Sequence, residues 1–383
     1  MRLGIVAHEF PPAPGGMQEH AFNLVTALAP MCDITVYTRD AYSTQPYPPH
    51  LRVSPCLNNR LSDFNLLSRE PIDVFVVLNA GYSPLSRFTT KPVVPYCHGN
   101  DFLYPWIRST PDVLFNLVSN LGRSPFIWRY RSLFNSFNQS LFRYKIKRSL
   151  NSTPIIYVNS HYTAARLHQK YPQVATPVRV LPPGIPNRFF DLECTPLPSS
   201  VHPRTFHFLT VSRLDVSHRH SKNLHNLIRS LSYIRQHLDF RWTVVGDGNM
   251  RPELEKLVSE NGLNDRTTFA GNINNVDILP YYDQSDALLL PSLETFGIVY
   301  LEAAARGVPS LGRRDSGAAD AIKPDVSGIL IPDGSVQSIS AGVEQLVANA
   351  DAWDQTEIRT FAEGFRWDSI AAALFNGLRS CVM

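Results

Sequence analysis

"ALLLPSLETFGIVYLEAAARGVPS", Ala287–Ser310, runs from a short apolar stretch through an acid, Glu294, to Phe296–Gly297 and on into a helical segment with a second acid, Glu302. A brief apolar run followed at once by a helix is what a strand feeding its crossover looks like in a parallel α/β sheet. Open sheets of this kind bind ligands beyond the carboxyl ends of their strands, which is where this reading puts Glu294. Gly297 lets backbone approach closely at the helix start. Ionised carboxylates only accept hydrogen bonds and are costly to bury without donors. Each can hold a vicinal diol, so two acids at one junction fit a sugar and a ribose with a diphosphate between them. The plainer alternative is one acid at a helix N-terminus and one on the surface.

The same alternation of short β-branched runs and helical stretches extends in both directions. "LGIVAH", "DITVYT", "IDVFVVLN", "PVVPYCH", "PIIYVNS" and "VRVLPPG" read as strands of a first unit, and "FHFLTVSRL", "RWTVVGDG", "TTFAG", "ALLLPS" and "GILIP" as strands of a second. Helices are expected over Asn223–Gln236 and Pro252–Asn261. The Pro- and Ser-rich stretch Leu192–Arg204 reads as a linker, so the expected domains are 1–190 and 191–365, with a final helix (366–383, periodic over Ser369–Leu378) crossing back to the first.

With 383 residues, 44% of them hydrophobic and 18% charged, the chain is long enough for two cores. A formal net charge of +3 is too mild to call for nucleic acid. The five cysteines are odd in number and form no C-x-x-C pair, which argues against a disulfide framework or a zinc site and fits a reducing cytoplasm. Neither a leader peptide nor a membrane span is expected from the sequence. One stretch departs from the pattern: Phe126–Leu150 mixes Arg and Lys with aromatics and has no Asp or Glu. It reads either as a solvated helix covering the sheet or as a surface that rests on anionic lipid, which would make the protein peripheral on the inner face of the membrane.

Other residues carry chemistry suited to a phosphorylated ligand. Gly15 and Gly16 precede a helix with apolar positions Ala21, Leu24, Val25 and Leu28, and a helix start offers free N–H groups to phosphate. The pair lacks the G-x-G-x-x-G spacing and the Walker lysine, so a plain tight turn is the alternative. In "TVSRLDVSHRHSKNL", Arg213 follows a strand and Lys222 precedes a helix; converging cations there would neutralise a departing diphosphate. The sequence has no Asp-x-Asp and no His/Cys cluster with metal spacing, so side-chain cations would stand in for a metal. His98, in "VVPYCHGND", sits at a strand mouth with Asp101 placed to orient it. Asp247 in "VVGDG" reads as a turn residue.

"GGMQ", "SRL" with its downstream Lys, "VVGDG", "FAGNI", "ETFGIVYLEAAARGVPS", "SGILIPDGS" and "FRWDSIA", in this order, resemble the retaining GT-B glycosyltransferases of glycosyltransferase family 4, over nearly the whole chain. The resemblance implies two Rossmann-like domains facing across a cleft, the first for the acceptor and the second for a nucleotide sugar. It implies Glu294 at the donor-sugar hydroxyls beside the amides of Phe296, Gly297 and Ile298, Glu302 on the ribose, and Arg213 and Lys222 on the diphosphate. Gly15 and Gly16 would face the phosphates, backbone at Asn272 and Ile273 the base, and His98 the sugar. Arg213 and Lys222 lie farther apart than is usual there, which brings Arg219 in as an accessory candidate, and Asp320 replaces a Glu in a late turn. The implied reaction moves a hexosyl unit, UDP ahead of GDP as carrier, to a hydroxyl of a glycan, lipid-linked or small-molecule acceptor, with retention and without metal or cofactor. A nucleotide-sugar epimerase of the same architecture and a non-catalytic sugar-nucleotide binder are the rivals.

Overall fold

The computed structural model of the chain describes residues 1–11, 16–39, 51–57, 61–103, 144, 146–191, 204–216, 222–274 and 277–382. It divides into two compact units, Met1–Gly184 together with Trp367–Met383, and Ile185–Arg366. The division falls at Gly184–Ile185 rather than near residue 190, because Ile185, Phe189 and Phe190 are buried in the core of the second unit.

The first unit holds a seven-stranded, all-parallel sheet in the order β3-β2-β1-β4-β5-β6-β7. The strands are β1 (Arg2–Val6), β2 (Asp33–Arg39), β3 (Arg52–Leu57), β4 (Val74–Val77), β5 (Val93–Cys97), β6 (Ile156–Val158) and β7 (Val178–Val180). Apolar side chains on both faces make β4 and β5 buried throughout, as a sheet covered on two sides requires. Helix Gly16–Leu28 covers one face with Ala21, Leu24, Val25 and Leu28. Helix Trp367–Val382 joins the same core through Trp367, Ile370, Ala371, Leu374 and Leu378.

The second unit holds a six-stranded parallel sheet ordered β10-β9-β8-β11-β12-β13: β8 (Phe206–Val211), β9 (Phe240–Val245), β10 (Thr267–Gly271), β11 (Ala287–Leu289), β12 (Ser310–Arg313) and β13 (Gly328–Ile331). Helices Leu224–Ile234 and Arg251–Glu260 match the two stretches read as helical. The strand order reverses between β1 and β4 in the first sheet and between β8 and β11 in the second. Such reversals splay the flanking crossovers apart and leave a crevice at the carboxyl edge. A buried relay fixes the second reversal: Trp242 Nε1 donates to Thr210 Oγ1 (2.9 Å), which donates to the Leu289 carbonyl (2.7 Å).

Two strands were missing from the sequence reading, β3 and β12. β3 is an edge strand containing Pro55 and few apolar residues, tolerable only at an edge. β12 is four residues long and includes Gly312, where a Cβ would lie 2.6 Å from Ile322 Cδ1 and 2.8 Å from Ala318 Cβ, so packing demands the residue that hides the strand. Among the described residues no helix is long and apolar enough to cross a membrane.

Candidate active site

At the second reversal, β8 runs out into Ser212–Arg213–Leu214. This loop is stitched to the turn after β9: Ser212 N donates to Val245 O (3.0 Å), Leu214 N to Asp247 O (3.0 Å) and Met250 N to Leu214 O (2.7 Å). Gly246 and Gly248 permit the approach, with φ of 126° and 155°; a Cβ on Gly246 would sit 1.9 Å from Ser212 O. Asp247 accepts from the Gly248 amide and shapes this turn. Arg213 is thus held by its backbone on both sides while its side chain is exposed, without an ion-pair partner among the described residues.

β11 ends nearby in Pro291–Gly297. Glu294 Oε1 accepts from Lys222 Nζ at 2.6 Å and from Ser292 Oγ at 2.8 Å; the lysine and glutamate side chains are only 17% and 18% exposed. The structure therefore places Lys222 on Glu294, two residues 72 positions apart in sequence. Asn223 explains how: left-handed (φ 57°) at the helix start, it donates through Nδ2 to Pro291 O and Gly334 O and ties the lysine's backbone to the end of β11. The Glu294 carbonyl accepts from Gly317 N (2.8 Å). A Cβ on Gly317 would lie 2.2 Å from Thr295 O, so the "DSGAAD" turn, with Asp320 in its short helix Ala318–Ala321, presses directly on the acid's loop.

Gly297 has φ 86°, and a Cβ there would lie 2.4 Å from Tyr300 Cε2. It opens helix Ile298–Ala305, whose first N–H groups have no partner inside the helix. Phe296 is buried beneath it, and Tyr300 donates to Leu290 O (2.6 Å), anchoring the helix to the strand that supplies Glu294. Glu302 faces a different partner, accepting from the Tyr282 hydroxyl at 2.7 Å. Burial foremost, then the Glu302 charge, raises the Tyr282 pKa. Asn272 is exposed and Ile273 half-buried just beyond β10. Gly15 and Arg219 lie outside the described residues, as does most of the basic aromatic stretch. Among the described residues no three His, Cys, Asp or Glu side chains are grouped to hold a metal ion.

In the first unit, Gly16 opens its helix with nothing within 4 Å of where a Cβ would stand. His98 follows β5. Asp101 does not orient its imidazole, as the sequence had indicated. Its oxygens accept instead from the backbone amides of His98 (3.1 Å) and Gly99 (2.9 Å), which the turn through Gly99 (φ 107°) points at the carboxylate, and from Ala80 (2.9 Å) at the start of the short helix after β4. Rings hold the imidazole: Tyr96 stacks on it at 4.6 Å and His20 meets it edge-on at 4.5 Å. His20 in turn touches Tyr96 and Trp367, each at 5.1 Å. The sequence reading missed His20, whose signal was its place beside Ala21 on the apolar face of its helix. Burial pushes the His98 pKa down to about 3 and that of His20 well below its usual range, with His98 as a second cause for His20. Asp101 is pushed up to about 6 by burial, against the pull of its amide donors.

The family profile described as "Glycosyl transferases group 1" matches residues 203–360, and that described as "Glycosyltransferase Family 4" matches residues 14–188. The chain belongs to the family 4 glycosyltransferases. Relatives of this glycosyltransferase include an uncharacterized glycosyltransferase of Methanocaldococcus jannaschii, 30% identical over 41% of each chain. Another is the GDP-mannose-dependent alpha-(1-6)-phosphatidylinositol monomannoside mannosyltransferase of Mycobacterium tuberculosis, 25% identical over 61% of this chain and 64% of the relative. The matches thus span 41% and 64% of these two relatives. Among solved structures, sucrose-phosphate synthase of Thermosynechococcus elongatus superposes with TM-score 0.72 at 19% identity, covering 99% and 98% of the two chains. HepE of Anabaena, solved in complex with UDP, gives 0.73 at 18% identity over 99% and 100%. These likenesses establish the GT-B fold for the glycosyltransferase.

Proposed function

We propose that the protein transfers a hexosyl unit from a nucleotide-diphosphate sugar to a hydroxyl acceptor, with retention and without a metal. The observation that carries this reading is the Lys222–Glu294 pair at the carboxyl edge of the second sheet's reversal, one strand from Arg213. A donor entering there exchanges partners. Glu294 gives up the lysine for sugar hydroxyls, and Lys222, with Arg213, takes the diphosphate. The bond from the anomeric carbon to the phosphate oxygen then breaks, its electron pair leaving with the diphosphate, while the acceptor oxygen bonds to the same carbon. The acceptor proton passes to the departing phosphate oxygen. Two cations and the amides at the start of helix Ile298–Ala305 meet the charge that develops, and preorganised charge of this kind is a large part of catalysis. Glu302 takes the ribose diol, backbone at Asn272 and Ile273 the base, Gly15 and Gly16 the phosphates, and His98, kept neutral, a sugar hydroxyl.

The relatives' names support both carriers: one solved structure of HepE is in complex with UDP-glucose, and the mycobacterial relative is GDP-mannose-dependent. We place UDP first, and a glycan, lipid-linked or small-molecule alcohol as acceptor. The test is a thermal-shift series with UDP- and GDP-sugars, because a ligand that prefers the native state raises the melting temperature. It is followed by turnover with and without alcohol acceptors in the presence of EDTA. A melting temperature unmoved by every nucleotide sugar defeats the reading, and isomerisation of the donor without acceptor replaces it with the epimerase.

A further inference from the structure

Buried tyrosine hydroxyls need a partner: Tyr300, Tyr96 and Tyr171 donate to the backbone at Leu290 O, Leu181 O and Phe102 O, whereas Tyr37, Tyr82 and Tyr282 donate to the carboxylates of Glu70, Asp63 and Glu302. Tyr282 is the one whose acid belongs to the candidate site. Its ring is fully buried against Phe189, and its hydroxyl is spent on a side-chain carboxylate, Glu302 Oε2, at 2.7 Å. The phenol is held in place from beyond the contact itself. Its neighbour Asp283 is gripped at both oxygens by Arg306 (2.7 and 3.0 Å), whose side chain is inaccessible to solvent and also donates to Phe189 O (3.1 Å). Arg306 stands one helical turn after Glu302. The short helix Leu279–Asp283 and the helix carrying Glu302 are thus joined by two polar contacts, one anchoring the backbone and the other ending on the acid.

We propose that Tyr282 is the positioning residue of the nucleotide site: its hydroxyl fixes the plane of the Glu302 carboxylate so that the acid recognises the ribose diol. This rests on the reading that Glu302 meets the ribose. A carboxylate has about four acceptor directions, of which the phenol's hydrogen bond takes one while it orients the group. Because burial holds the phenol protonated, it stays a donor across the physiological range.

The test is calorimetric titration of the wild type, Glu302→Gln and Tyr282→Phe with UDP and 2′,3′-dideoxy-UDP, and with the GDP pair in parallel, each variant's fold verified by its melting curve. The wild type is expected to favour the ribonucleotide about 10-fold or more, the scale of a diol bonded to a charged acceptor. Glu302→Gln removes most of that preference. Tyr282→Phe cuts it several-fold while leaving the affinity for the dideoxy nucleotide within about 2-fold, a split that a loss of packing does not produce. Preference lost in Glu302→Gln but kept in Tyr282→Phe overturns the role of Tyr282 alone. An equal weakening of both nucleotides by Tyr282→Phe overturns it as well. Preference kept in Glu302→Gln, or no preference or binding in the wild type, removes the ribose reading and the proposal with it. Should Tyr282→Phe fail to fold, unaltered protein labelled with 3-fluorotyrosine gives the second readout. The Tyr282 fluorine resonance shifts with UDP and not with dideoxy-UDP, and equal shifts overturn the proposal.

Discussion

Glu294 Oε1 accepts from both a lysine and a serine, so the acid is held in orientation and partly desolvated by the protein's own donors. Glu294→Gln keeps the shape but loses the charge, and we expect kcat/KM to fall about 100-fold, a loss typical of removing one preorganised electrostatic group. Lys222→Ala acts elsewhere: affinity for the nucleotide diphosphate is expected to drop about 10-fold, while affinity for the nucleoside alone stays within about 2-fold. Titrations with UDP and uridine check this, and a parallel loss for both would remove Lys222 from the phosphate role. The residue types were legible because acids and cations at strand ends are uncommon in a core. The pairing was not, since it is made by an asparagine in left-handed conformation and a loop contact at Gly334 that no local pattern announces.

At the scale of elements, the loops do what side chains cannot. The turn at Gly317 packs onto the Thr295 carbonyl, and Gly317→Ala must push Glu294's loop away from β12 or distort its own short helix. We expect a loss of about 1–3 kcal/mol in denaturant unfolding together with weaker donor binding; an unchanged melting curve and affinity would show the contact to be slack. β-Branched runs revealed the buried strands, whereas β3 and β12 went unseen because proline at an edge and glycine under a helix carry no strand signal. The opposite error occurred at Asp101, where proximity in sequence suggested the imidazole and the backbone turn captured the carboxylate.

Over the whole molecule, the buried pair His20 and His98 makes the first unit sensitive to acid. In the native state both imidazoles bind protons well below 6.5, His98 at about 3, so as pH falls below 6.5 the unfolded chain takes up protons at both histidines that the folded chain does not, and stability falls. Asp101 acts in reverse. Its native pKa of about 6 against 3.8 means the folded state holds the extra proton, adding stability as pH drops through 6 towards 4. Two histidines outweigh one aspartate, leaving a net slope of about 1.4 kcal/mol per pH unit over that window. Denaturant midpoints at pH 7 and pH 5 measure it, and His20→Phe is expected to level most of it. The last helix belongs to the same core, so Leu374→Ala is expected to cost about 2–5 kcal/mol, read from urea unfolding of that unit. A further test concerns the basic aromatic stretch. Neutralising Arg143, Lys145, Lys147 and Arg148 is expected to reduce co-sedimentation with phosphatidylserine vesicles while sparing UDP binding; unchanged sedimentation ends the lipid-surface idea.

The first unit draws its core from both ends of the chain, whereas the second is one continuous segment, Ile185–Arg366. The sheet of the first unit therefore lacks Trp367, Ile370 and Leu374 until the whole of Ile185–Arg366 has been synthesised, while that intervening segment can close on its own core before them.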